Sequence, residues 1–227
     1  MSTLNKQNLI FLKDLKKNNN RDWFSANKHL YEQNRNDIIH FADDVLKRLN
    51  QHDNIETVSG KKSVYRIYRD VRFSKDKTPY KIHWGGYYKR ATKLLRGGYY
   101  FHIEPKLSFV GGGFWNPNSK DLKKIRTNIL EFGDELLQII NSKEFKTNFG
   151  ELKGKKLKTA PKGFDKNHKY IDLLRYKQFL LVKPFTDEEV LSKDFALMID
   201  NTFKAMRPFF NFMSEALTTN ENGEIIV

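Results

Sequence analysis

The chain has 227 residues, of which 14% are aromatic and 30% charged, and its formal net charge is +14. Eighteen Phe and ten Tyr are too many large apolar groups for a disordered chain, and a chain of this length buries roughly 70% of its extended surface on folding. The absence of cysteine excludes disulfides, cysteine nucleophiles and thiolate metal sites, and no run approaches the ~18 apolar residues of a membrane-spanning helix.

The first predicted element is a helix over Lys6 to Lys17, with Leu9, Leu12 and Leu15 forming its apolar stripe. The opening MSTLNKQNLIFLKDLKK has neither the apolar core nor the small-residue cleavage site of a signal peptide, so a cytoplasmic location is expected. NNNRDWF reads as a stop followed by a start: Asn19 is placed to cap the next helix, with Asp22 near its amide-rich end. Trp23, Leu30, Ile38, Phe41, Val45 and Leu49 then recur near the helical period and predict one long helix.

In the middle of the chain the period changes. Tyr65, Ile67, Val71 and Phe73 alternate with Arg66, Tyr68, Asp70 and Arg72, which predicts a strand with one packed and one polar face, interrupted by Arg69. GGYYFHIEPKLSFVGGGFW, from Gly97 to Trp115, reads as a hairpin turning near Pro105 and Lys106. Leu122, Ile125, Ile129, Leu136 and Ile140 return to helical spacing, and LKGKKLKTAPKGF is a basic, turn-rich connection. YKQFLLVKPF predicts a buried strand stopped by Pro184. Asp187 to Met213 predicts a helix with Val190, Leu191, Phe195 or Ala196, and Met198 inward, ended or kinked at Pro208. Helices at both ends, strands between them and no βαβ alternation predict an α+β fold. A single domain over 1–227 is expected, with a mostly antiparallel central sheet flanked by helices and a flexible tail at 218–227.

Charge is concentrated as well as abundant. Between Lys61 and Arg96 lie twelve Lys or Arg and two Asp, a distribution suited to anionic partners. The ligand-binding candidates are Arg66, Arg69 and Arg72, with Lys75, Lys77 and Lys81 as a rim and Tyr68 in the same polar row. Guanidinium offers bidentate geometry to phosphate or carboxylate that ammonium lacks. On a straight strand Arg66 and Arg72 start roughly 20 Å apart, which implies an extended groove or two sites. The competing reading pairs Asp70 with Arg69 or Arg72 at a sheet edge. His102 and Glu104 alternate on one strand face as a proton-transfer pair or part of a metal site, with His83 as a spatial companion. An ordinary histidine–carboxylate hydrogen bond explains that alternation equally well. The acid/base candidates are therefore His102, Glu104 and Asp70. With no HExxH run, Walker motif, serine elbow or nucleotide fingerprint, no metal and no cofactor is assigned. Tyr65, Tyr68, Tyr80, Trp84, Tyr87, Tyr88, Tyr99 and Tyr100 offer either a base-stacking surface or ordinary core packing.

Four segments resemble one family in order across nearly the whole chain: FLKDLKKNNNRDWFSANKHLYE, RIYRDVRFSKDKTPYKIHWG, GGYYFHIEPKLSFVGGGFWNP and LKTAPKGFDKNHKYIDLLRYKQF. They are similar to the DUF2461 conserved proteins. The resemblance implies one conserved fold unit and brings no established activity, cofactor or catalytic residue, so it assigns no role to Arg66, Asp70 or His102. The expected function is binding of a phosphorylated or carboxylated small molecule, without membrane insertion. The alternative is a nucleic-acid-binding or adaptor protein without catalytic activity, and a third reading has the polar row satisfied internally.

Overall fold

Asparagine side chains set the first helix boundaries. In the computed structural model, which describes residues 3–220 and 222–227, the Asn5 side chain accepts from the amides of Gln7 and Asn8 and starts helix α1, Lys6–Lys17. Asn20 caps α2, Arg21–Ala26, through the Trp23 amide. Asn19, the expected cap, instead brackets Tyr80, donating to its carbonyl at 2.9 Å and accepting from its amide at 3.1 Å. The expected long helix is broken at Asn27, whose φ of −107° and ψ of 17° leave the helical region. Helix α3 then runs Lys28–Leu49.

After the short helix α4, Gly60–Ser63, the expected strand at Tyr65–Phe73 does not form. Only isolated bridges occur, Val64 with Gly86 and Tyr68 with Tyr80. The reason lies in two aspartates. Asp70 accepts from the Arg72 amide and Asp76 from the Thr78 amide at 2.9 Å, so side chains capture the donors that a ladder needs and the chain turns. The sheet is antiparallel and four-stranded, in the order β1 (Trp84–Lys89), β2 (Gly98–Ile103), β3 (Ser108–Phe114), β4 (Phe179–Phe185). Strand β1 was not expected. Its WGGYYK sequence carries two glycines where apolar side chains usually announce a strand. A Cβ at Gly86 would lie 2.3 Å from the Phe101 ring, and one at Gly85 would lie 2.9 Å from the Tyr100 hydroxyl. The bare backbone leaves room for an aromatic of β2 on each face.

Helix α5, Ser119–Asn141, is kinked at Phe132 and followed by α6, Lys143–Phe149, and α7, Ile171–Leu174. Pro184 lies within β4 near its end, and the expected final helix is three: α8 (Asp187–Val190), α9 (Phe195–Ala205) and α10 (Arg207–Thr218). Pro208 falls in the first turn of α10, where a missing amide proton costs no helical hydrogen bond. Beyond it Thr219 bridges Ile225, and the Ile226 amide donates to Thr218 O. Residues 1, 2 and 221, which the expected domain and tail include, lie outside the described residues. The fold is thus α+β, with an antiparallel sheet flanked by helices.

The chain groups into two compact units. The first comprises residues up to Tyr88, Tyr100–Val110 and Pro184–Asn201. In it Leu9, Leu12 and Leu15 of α1 and Ile38, Phe41, Val45 and Leu49 of α3 are at most 4% exposed. Asn8 is buried among them because its amide donates to Asn34 Oδ1 at 2.9 Å and Asp37 Oδ2 at 3.1 Å. The second comprises Lys89–Tyr99, Gly111–Lys183 and Thr202–Val227. Ile125, Ile129 and Leu136 of α5 are buried in it, as are Phe209, Phe210 and Met213 of α10. Arg90 is buried there too, donating to the Arg96 carbonyl at 3.0 Å.

Candidate functional site

The predicted cations are largely engaged with their own ribbon, in the first unit. Arg69 pairs with Asp76 at 2.6 Å and donates to the Thr78 carbonyl at 3.0 Å and to the Thr78 hydroxyl. Arg72 forms a bidentate pair with Asp70, at 3.0 and 2.7 Å, with both side chains mostly exposed. Lys77 donates to the Val71 carbonyl at 2.9 Å. Lys81 donates to the carbonyls of Arg66 and Tyr68. Tyr68 is half exposed, with its ring against Phe24 and Tyr80. Among the described residues, Arg66 and Lys75 are exposed and without an ion pair. The charges also leave their mark on titration. The Arg72 pairing lowers the Asp70 carboxyl, and the Thr78 amide, followed by Arg69, holds Asp76 down to about 2. Asp70 is thus engaged in an ion pair and a turn.

A different group of residues comes together on β2. In an extended strand residues two apart share a face, so Tyr100 and His102 share the side opposite Phe101 and Ile103, both of which are buried. Glu104, just past the strand end, reaches the same place. The Tyr100 hydroxyl lies 3.0 Å from His102 Nδ1, and His102 Nε2 lies 3.1 Å from Glu104 Oε2. Both the His102 and Glu104 side chains are 12% exposed. Phe109 of β3 stacks on one side of the His102 ring at 4.7 Å, and His83, just before β1, stacks at 4.1 Å. The imidazole is consequently held in position and orientation by four neighbours.

Further groups frame this cluster. The Tyr65 amide donates to the Gly85 carbonyl at 2.8 Å, which brings the Tyr65 ring to 6.1 Å from Tyr100. Lys16 of α1 lies 3.8 Å from Glu104 Oε1. Ser108 accepts from the Glu104 amide at 3.1 Å and donates to its carbonyl at 2.9 Å, closing the hairpin turn beneath the carboxylate. Burial, then the neighbouring His102 and Lys81, pushes His83 down to about 4, so it is a neutral imidazole at pH 7. Burial also lowers His102, against the opposing pull of Glu104, and raises the Tyr100 phenol. Lys81 is lowered by burial and then by repulsion from Arg66 and Arg69.

His83, His102 and Glu104 each present a donor atom, all within 4.8 Å of one another. The set consists of two imidazoles and a carboxylate. Sequence reasoning had paired His102 with Glu104 from their spacing and named His83 as a companion, but it gave Tyr100 and Phe109 no part in holding the imidazole. The alternation of Tyr100 with His102, and the aromatic character of Tyr100 and Phe109, were the available signal. These half-buried polar groups are consistent with ligand binding and identify no specific ligand.

No helix among the described residues is long and apolar enough to cross a membrane. Neither the curated proteins nor the solved structures contain a match to this chain. One family model does match, over residues 7–212, described as a conserved hypothetical protein. The match covers most of the chain, and the protein belongs to the DUF2461 family.

Proposed function

We propose that the protein binds a small phosphorylated or carboxylated molecule at the β1–β2 face of its first unit. The observation that carries this reading is the placement of Lys81. Its ammonium is fixed on the carbonyls of Arg66 and Tyr68, and its charge is felt by His83 and repelled by Arg66 and Arg69. A cluster of like charges beside half-buried imidazoles is relieved by an anion. Arg66, exposed and without an ion pair among the described residues, is the guanidinium available to grip it. Tyr65, Tyr100 and the imidazoles supply neutral hydrogen-bonding partners.

Unlike the expectation from sequence, this site uses neither Arg69 nor Arg72 as an anion contact, because each already holds a carboxylate. The test is native mass spectrometry with a panel of phosphorylated and carboxylated metabolites, followed by calorimetry on any hit. Removing a charge-assisted hydrogen bond costs about 1.5–3 kcal/mol, so Arg66→Gln and Lys81→Gln should each weaken the hit about 10- to 100-fold. Arg72→Gln should leave it unchanged. An anion held equally well by Arg66→Gln and Lys81→Gln would place the site elsewhere.

A further inference from the structure

We infer that His83, His102 and Glu104 form a binding site for one divalent first-row transition metal ion. The inference extends the anion reading without resting on it, since the three donors are defined by geometry alone.

Bonds of about 2.1 Å set neighbouring donors roughly 3.0–3.4 Å apart in octahedral or tetrahedral coordination. The His102 Nε2 to Glu104 Oε2 separation of 3.1 Å already matches such an edge. The other donor separations are at most 4.8 Å, so they need to close by no more than about 1.8 Å, a movement within the reach of side-chain rotation at His83 and Glu104. The donor types are also right: two imidazoles and one carboxylate are a recurrent set for zinc and for non-haem iron, and three protein ligands leave positions open for water or an anion.

The surroundings match what metal ligands need beyond the donors themselves. A metal-bound imidazole is usually oriented through its other nitrogen. Here His102 Nδ1 meets the Tyr100 hydroxyl at 3.0 Å. With the metal on Nε2, Nδ1 carries the proton and donates to that hydroxyl. Phe109 and His83 clamp the ring from its two faces. Gly85 lets the Tyr100 hydroxyl lie against β1, because a Cβ there would come within 2.9 Å of it. On this assignment His102 and Glu104 are ligands, and the acid/base pairing suggested by their sequence alternation does not apply to them.

The experiment titrates the full chain, stripped with chelator and kept in phosphate-free buffer, with Zn(II) by calorimetry and with Co(II) by visible absorption. One equivalent should bind, and the Co(II) spectrum should show ligand-field bands of a protein-bound ion. Glu104→Gln and His83→Gln should each weaken binding at least tenfold, and Tyr100→Phe, which removes only the orienting partner, by about 10- to 100-fold. Circular dichroism on each variant separates loss of the site from loss of the fold. Wild-type protein that takes up no stoichiometric metal, or folded variants that bind like wild type, would overturn the assignment. Because no anion is present, that failure leaves the anion reading intact. Conversely, metal uptake that survives Lys81→Gln while anion binding is lost separates the two claims.

Discussion

Two regions of the first unit handle charge in opposite ways. The ribbon from Arg69 to Lys77 is conspicuous in sequence, yet Asp70 and Asp76 neutralise Arg72 and Arg69, and the Val71 carbonyl takes the ammonium group of Lys77. The β2 face is quiet in sequence, yet it gathers two imidazoles, a carboxylate and a phenol in a half-buried cluster. Local charge density therefore marks where a chain needs its own counterions. Titratable groups collect where strand pairing brings sparse polar residues together out of water.

The sharpest way to break the second region is from beneath. Gly86→Ala drives a methyl into the Phe101 ring, which would sit 2.3 Å away, and overpacking of this kind costs about 1–3 kcal/mol. Urea unfolding should show the midpoint falling while the slope stays constant. Gly85→Ala meets the outer end of the Tyr100 side chain, its hydroxyl at 2.9 Å and two ring carbons at 3.3 and 3.4 Å. It should destabilise less than Gly86→Ala while shifting the His102 ring signals in proton–nitrogen spectra.

Tyr100→Phe isolates the hydrogen bond. It should cost about 1 kcal/mol, and the imidazole spectrum of His102 should change more than that of His83. An unaltered His102 spectrum would mean that Tyr100 does not orient the ring.

The ribbon should respond more mildly. Asp76 is held to about 2, below its usual 3.8, so the stabilisation it contributes is fully present above pH 3.8 and is lost as pH falls through about 2. Carbon-13 titration of its carboxyl should show that low midpoint. Arg69→Gln should move it only part of the way back, since the Thr78 amide is the largest cause. The smallest effect is expected for Arg72→Gln. Its partner Asp70 is exposed, and surface pairs of this kind contribute little, so the urea midpoint should not move measurably.

Much of the fold was legible because side-chain period and burial agree. The stripe of Leu9, Leu12 and Leu15 defined α1 to its ends, and Pro105 and Lys106 marked the hairpin, where Lys106 adopts a φ of +66°. The failures have local physical causes. Strand β1 was hidden because the information about its glycines resides in Tyr100 and Phe101, across the sheet. Tyr65–Phe73 carried an alternating pattern, but Asp70 diverted its Arg72 amide into a turn, and Asp76 did the same to the Thr78 amide beyond it. The site inherits both effects. His102 and Glu104 were readable as neighbours two residues apart on one chain, whereas placing His83 beside them requires the β1–β2 pairing that the glycines concealed. The ribbon cations drew attention through composition, which says nothing about which charges already have partners.

The anion site is tested most directly by following side-chain nitrogen signals of the histidines and arginines while titrating with inorganic phosphate and then with citrate. Saturable shifts are predicted at His83, His102 and Arg66, with Arg72 unmoved. Shifts confined to Arg72, with both imidazoles silent, would contradict it and return the binding surface to the ribbon.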